Sequence, residues 1–311
     1  MKLALLKFSL LLVVFSVFTV AAKAQDFVSA VRATLENYGA PQAESLLKQY
    51  RDSRGITPEY LEAYSWLGRK ALEDHNYATA EKLAQQTYEM CLAQSKRYPL
   101  DSEPHLPIAL GAAIEVRGQA LAAEGHRVAA KTYLLAEERK YGTTSIGDRI
   151  QKNINLISLQ GTLAPPLQEV QFLGPKPKPI AAYRGKPVIL FFWAHWCVDC
   201  KAEAPILARL KSEYGDKLEI VGPTQRYGYA AAGNPASAAD ELKYIDDVRL
   251  KYYSRLSDMP VPVSEANFRR YGASTTPTIV IVGADSKVKL YHPGRMTYEE
   301  LKAALVNAGL F

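Results

Sequence analysis

Pro187 to Pro205 read PVILFFWAHWCVDCKAEAP, an apolar run that ends in two cysteines three positions apart. Pro187 to Trp193 carries no charge and no alternation, the pattern of a strand covered on both faces. Cys197 to Tyr214 then reads as a helix, with Ala204, Leu207 and Leu210 among its apolar positions. A thiol at a helix start has a mechanical meaning. First-turn N–H groups and the helix dipole stabilise a thiolate on Cys197 and lower its pKa below the free value of about 8.5. Cys200, one turn further on, is placed to attack a mixed disulfide formed on Cys197. Cys197 is therefore the expected nucleophile and Cys200 the resolving thiol, with their own disulfide as the redox group and no other cofactor. Zinc is the rival ligand. One pair supplies two donors where a structural site wants four, so no metal is expected. Pro205 lacks an N–H and should kink the helix.

Phe192 to Cys200 resembles the active-site segment of thioredoxin. Cys200-Lys201-Ala202-Glu203-Ala204-Pro205, with Gly185-Lys186 and Ala164-Pro165 upstream, is more similar to the exported TlpA/ResA group of thiol–disulfide oxidoreductases. Tyr271-Gly272 and Ser274 to Thr278 resemble that group's cis-proline loop. The resemblance spans about residues 162–311. It implies a cis bond before Pro277 and a Thr276 backbone that pairs with an extended substrate segment. Trp196, Thr276 and Pro277 are thus the expected substrate-binding residues, against an ordinary strand-edge proline at Pro277. Two departures stand out. Phe191 occupies the place of thioredoxin's buried acid, so a proton acceptor for Cys200 must come from elsewhere or from water. Pro223-Thr224-Gln225 follows the next strand, where relatives in the exported group often carry an acid.

Three residues are read as modulators of the pair: Asp199, Glu203 and His195. Asp199 should oppose the thiolate, while the helix start favours its carboxylate, which points to a more reducing couple. Glu203 otherwise reads as a solvated or helix-capping charge, and His195 as a partly exposed side chain. Leu218 to Val221 reads as another short strand. Asn234-Pro235 offers an N-cap and a first-turn proline for a helix through Leu242, Ile245, Val248 and Tyr252. Thr278 to Val282 and Val288 to Tyr291 form a hairpin across Ala284-Asp285-Ser286, and Thr297 with Glu300 makes a capping box. Thr224 to Asn234 carries Arg226, Tyr227 and Tyr229, either as a selectivity loop or as a mobile surface loop.

Upstream the grammar changes. Pro165-Pro166 and Pro175-Lys176-Pro177-Lys178-Pro179 cannot continue a helix, so a boundary is expected near Gly161. The expected units are a leader over 1–24, a helical-hairpin unit over 25–160 and an α/β unit over 161–311. Tyr64, Leu67, Gly68 and Ala71, then Ala80, Ala84, Tyr88 and Cys91, recur at helical spacing around a connection at Asp74-His75-Asn76. Ala71-Leu72, Ala80 and Lys82 are echoed 49 residues on by Ala120-Leu121, Ala129 and Lys131, with Glu124-Gly125-His126 as the turn. Leu67-Gly68 and Ala80 resemble tetratricopeptide-type hairpins, although that repeat recurs at about 34 residues. Such hairpins leave a groove that can hold a partner peptide; a spacer that only packs on the second unit is the other reading. Cys91 falls on the apolar face and is expected to be inert.

The 311 residues are 48% hydrophobic and 23% charged, which excludes disordered, collagen-like and disulfide-dense classes. A formal charge of +6, falling to +3 without Lys2, Lys7 and Lys23, is too small to imply nucleic acid. Lys2 and Lys7, the apolar run Phe8 to Val20 and then Ala22-Lys23-Ala24 read as a signal peptide cleaved before Gln25. The expected location is the periplasm or the exterior, with a membrane anchor if the leader is retained. The predicted architecture is an all-α helical-hairpin domain followed by an α/β thioredoxin-like domain. The predicted activity is thiol–disulfide exchange on protein or peptide substrates, in the reducing direction, fed by an unidentified electron donor. A peroxidase on the same fold would want Thr-x-x-Cys, and Ala194 stands in the threonine's place. A scaffold with a vestigial redox domain is opposed by intact Cys197, Cys200 and Pro277.

Overall fold

Helical periodicity before Gly161 becomes seven α-helices among the described residues, which in this computed structural model are 26–169 and 171–310. The expected leader and its cleavage at Gln25 lie outside them. The helices are α1 (Phe27–Tyr38), α2 (Ala40–Arg54), α3 (Pro58–Glu73), α4 (Tyr77–Gln94), α5 (His105–Ala123), α6 (Arg127–Tyr141) and α7 (Gly147–Ser158). α3 with α4, and α5 with α6, are antiparallel hairpins that pack on one another, and α1 packs on α3. Small residues set the close approaches. A Cβ on Gly118 would lie 2.8 Å from a Leu134 methyl, and one on Gly68 would lie 3.5 Å from Leu83 Cβ.

The two hairpins correspond at an offset of one residue more than expected. His75 and Gly125 take the left-handed position of each turn, with φ of 59° and 89°. Asn76 N–H donates to Ala71 O and His126 N–H to Leu121 O, and Ala80 and Ala130 are both fully buried. Ala129, expected in Ala80's place, is exposed. Alanine is common on several faces of α5 and α6, so matching by identity slips where burial does not. Cys91 is fully buried, and burial pushes its thiol up to about 12.

After Ser158 the chain joins a mixed sheet, with Gly161 N–H on Val288 O and Val288 N–H on Thr162 O, both 2.8 Å. The remaining elements are β1 (Phe172–Leu173), β2 (Val188–Phe192), α8 (Val198–Tyr214), β3 (Glu219–Val221), α9 (Ala238–Tyr252), β4 (Val261–Pro262), α10 (Glu265–Tyr271), β5 (Thr278–Val282), β6 (Val288–Pro293) and α11 (Tyr298–Asn307). Strand order is β3-β2-β5-β6, with β2 parallel to β3 and antiparallel to β5. The fold class is the expected one: helical hairpins followed by a thioredoxin-like α/β unit. Every residue of β2 is buried, and alternation divides them between two cores. Ile189 and Phe191 join Leu207, Ile245, Leu301 and both cysteines of the pair; Val188, Leu190 and Phe192 join Phe268 and Tyr271. Fully burying such a side chain contributes about 1.5–3 kcal/mol.

Two local expectations are corrected. The helix read from Asn234-Pro235 begins at Ala238, because the Ser237 hydroxyl accepts the Asp240 N–H at 3.2 Å, while Pro235 bridges back to Tyr229. The two-stranded β1–β4 ribbon was not expected; its strands are two residues long and show no alternation. The Thr297–Glu300 capping box is present. Gly272 sets how the halves meet. Its φ is +58°, and a Cβ there would lie 2.3 Å from Lys152 N, so α10 and α7 touch backbone to backbone. Among the described residues no helix is long and apolar enough to cross a membrane.

Candidate active site

The end of β2 is pinned before it reaches the cysteines. Trp193 N–H donates to Pro223 O, its indole N–H donates to Gly222 O at 2.9 Å, and the Thr224 hydroxyl donates to Trp193 O at 2.8 Å. The chain then turns and enters α8 with Cys197 as the N-cap. Cys197 and Cys200 are joined as a disulfide, and Cys197 Sγ accepts the Cys200 N–H at 3.0 Å. That N–H belongs to the first helical turn and has no carbonyl partner within the helix, so it is aimed at the sulfur on which charge would develop if the disulfide opened. Cys200 is fully buried, whereas Cys197 keeps 3% of its surface. The residual exposure thus belongs to the cysteine at the helix start.

The other wall is the loop before β5. Thr276 O lies 3.4 Å from Cys197 Sγ, and the Thr276–Pro277 peptide is cis, as the resemblance implies. Trp196 stands beside the pair and is 46% exposed. The structure thus brings Trp196, Cys197, Cys200, Thr276 and Pro277 together at one end of the two central strands, β2 and β5.

The acidic neighbours differ from expectation. Asp199 is exposed, and Arg295 Nη1 sits 3.7 Å from it. Glu203 is neither solvated nor a helix cap. It is fully buried, accepts the Met296 N–H at 3.2 Å, and has Arg295 Nε 3.6 Å from its second oxygen. Burial raises the Glu203 carboxyl, against the pull of the Met296 N–H and of Arg295. Arg295 was missed, since it comes from the loop after β6 and has no local signal near the cysteines.

His195 is also corrected, from partly exposed to fully buried. Its ring is enclosed edge-on by Tyr227, Tyr229 and Tyr244, at 5.6, 5.3 and 5.3 Å between centroids. Glu241 Oε1 lies 3.3 Å from His195 Nε2, close enough for attraction but not aligned as a hydrogen bond. Burial lowers the imidazole, and Glu241 opposes that shift. The Glu241 carboxylate also accepts the backbone N–H groups of Tyr227 and Gly228. The Thr224–Asn234 loop is therefore fastened at Tyr227-Gly228, where Tyr227 also meets Trp196 edge-on at 5.5 Å. Glu241 was missed because an acid in the first turn of α9 reads as an ordinary helix-start charge. Among the described residues no three His, Cys, Asp or Glu side chains are grouped to hold a metal ion.

This geometry has relatives. Residues 179–309 match the thioredoxin-like domain family. Thioredoxin-like protein YneN of Bacillus subtilis is 29% identical over 125 residues, 39% of this chain and 65% of that protein. Thiol-disulfide oxidoreductase ResA of Bacillus thuringiensis subsp. konkukian is 29% identical over 128 residues, 40% of this chain and 64% of that protein. The chain thus spans just under two thirds of the length of these relatives. The crystal structure of a putative thiol:disulfide interchange protein DsbE from Chlorobium tepidum is 22% identical, with a TM-score of 0.37 over 48% of this chain and 96% of that one. Residues 179–309 of this chain are a thioredoxin-like domain, and the helical hairpins before them lie outside that match.

Proposed function

We propose that the chain is an exported protein thiol–disulfide oxidoreductase that works as a reductase. The observation that carries this reading is Cys197 Sγ at the start of α8, accepting the Cys200 N–H and facing the Thr276 carbonyl. In the reduced enzyme the Cys197 thiolate attacks one sulfur of a substrate disulfide, and the other leaves as a thiolate that takes up a proton. Cys200 then loses its proton and attacks Cys197 Sγ, which releases the second substrate thiol and closes the Cys197–Cys200 disulfide. Two electrons pass to the substrate, and a dithiol donor must restore the pair. Glu203, one turn after Cys200 on α8, is the group we assign to the Cys200 proton, since a buried carboxyl with a raised pKa exchanges protons with a thiol more readily. Trp196, Thr276 and Pro277 flank the substrate segment.

Direction follows from charge. Asp199 and Glu203 share one cation, Arg295, and the excess negative charge disfavours a thiolate and so favours the disulfide form. Export rests on Lys2, Lys7, the apolar run Phe8 to Val20 and Ala22-Lys23-Ala24. Insulin with dithiothreitol tests the activity. The wild type should accelerate disulfide reduction and Cys197→Ser should not, while Cys200→Ser should accumulate a mixed disulfide on Cys197. No acceleration by the wild type, or trapping through Cys91, would contradict the reading.

A further inference from the structure

A cavity of about 480 Å³ opens between the two halves of the molecule. Ile108, Ile146, Arg149 and Lys152 form its helical wall, and Ser274 and Thr275 form the other. Those two residues lead directly into Thr276, whose carbonyl faces Cys197 Sγ at 3.4 Å. A polypeptide held against Thr276 would therefore pass the mouth of this cavity within a few residues, at about 3.3 Å of rise per extended residue.

Among the described residues, two cations line the cavity, and they bond the same carboxylate. Arg149 and Lys152 share Glu115: Lys152 Nζ lies 3.1 Å from both of its oxygens, and Arg149 Nε bonds one of them. Burial alone would raise Glu115, yet these two cations hold it down to about 2. Arg69 adds charge behind them. Its guanidinium lies 4.2 Å from the Trp66 ring, Arg32 lies 4.0 Å from the same ring, and Arg69 Nε and Nη2 are buried without an acceptor. Burial and the neighbouring Arg149 charge lower Arg69 to about 10, as crowding among cations requires. The other nearby carboxylates are engaged: Glu62 with His105 at 2.7 Å, Asp101 with the N–H and hydroxyl of Ser145, and Asp148 with Arg269 at 3.8 Å. Among the described residues, Arg149 and Lys152 thus share the Glu115 carboxylate, with the Arg69 charge behind them.

We propose that this interdomain cavity binds an acidic side chain of the substrate polypeptide, an aspartate or glutamate a few residues from the substrate cysteine, so that the helical half selects substrates by charge. A guanidinium and an ammonium side by side suit a carboxylate, and the Ile108 and Ile146 side chains suit the backbone that carries it. This deepens the reductase reading, but the binding step does not require the cysteines to react.

Fluorescence anisotropy separates the two. The probe is a labelled cysteine-free peptide, with serine at the cysteine's place and two glutamates three and four residues away, compared with its glutamine counterpart. The full chain should bind the glutamate peptide at least tenfold tighter than the glutamine peptide. Lys152→Gln should collapse that gap, and Glu115→Gln, which removes the competing carboxylate, should widen it. Opposite signs from two variants of one ion cluster cannot come from loss of folding. Equal binding of the two peptides by the wild type would overturn the proposal, and so would a gap unchanged in Lys152→Gln. If insulin reduction fails while the peptide gap persists, the reductase reading falls and the acid-binding cavity stands.

Discussion

Two buried glutamates flank the redox pair, and they are held in different ways. Glu241, on the His195 side, accepts two backbone N–H groups from the loop it fastens and lies against a histidine enclosed by three tyrosines. Glu203, on the Arg295 side, accepts one backbone N–H, and among the described residues its second oxygen has a guanidinium at 3.6 Å and no hydrogen bond. Directed donors fix a carboxylate in place, as at Glu241, whereas burial with a single backbone donor raises the Glu203 carboxyl and leaves it available for chemistry. Burial is the same for both. The number of directed donors separates the two environments.

Removing each acid should break the symmetry. Glu241→Ala leaves two backbone donors without an acceptor and His195 without its neighbour, at a cost of about 3 kcal/mol. Urea denaturation should show that loss, and limited proteolysis should cut the Thr224–Asn234 segment first. An unchanged midpoint would mean that the loop holds without Glu241.

Glu203→Gln should act in the opposite sense. A carboxyl whose folded pKa lies above its ordinary 4.5 stabilises the fold fully below 4.5, and that contribution is lost as pH rises through the folded value. The variant should therefore melt about 2–4 °C above the wild type at neutral pH, on the scale of 1 kcal/mol in a unit of this size. The difference should vanish below pH 4.5, and Cys200 should lose a proton acceptor, slowing resolution of a mixed disulfide. A variant less stable at neutral pH would place Glu203 with the fastening groups.

The Arg295 side can be tuned further. Arg295→Gln should raise the Cys197 pKa by about half a unit and move the potential some 15 mV toward reducing values, since 30 mV corresponds to about 1.4 kcal/mol. Asp199→Asn should do the reverse by a smaller amount, because Arg295 and water already screen that exposed carboxylate. Equilibration with a glutathione or dithiothreitol series reads both shifts. The wild type should lie nearer about −270 mV than −120 mV, and a value at or above about −180 mV would contradict the reducing assignment.

The contrast also shows what local sequence can reveal. β2, the start of α8, the hairpin after Thr278 and the capping box at Thr297 follow from runs, spacings and caps confined to a few residues. The cysteines and the loop at Pro277 are readable for the same reason, since each motif is contiguous. Arg295 and Glu241 are not. Each comes from a separate element, and nothing near Cys197 in the sequence reports the distance across the end of the sheet. Glu203 and His195 are visible as residues but not as buried ones, because a charged or polar side chain is by default placed in solvent. Ala129 was mistaken for Ala130 by identity alone, in helices where alanine lies on several faces.

Competitive alkylation of the reduced full chain, read site by site by mass spectrometry across pH, tests the helix-start thiolate most directly. Cys197 should react well before Cys200 and Cys91, with an apparent pKa below about 8.5, while Cys91 stays protected until the protein unfolds. Equal labelling of the three under native conditions, or Cys200 reacting first, would contradict the assignment of Cys197 as the attacking sulfur.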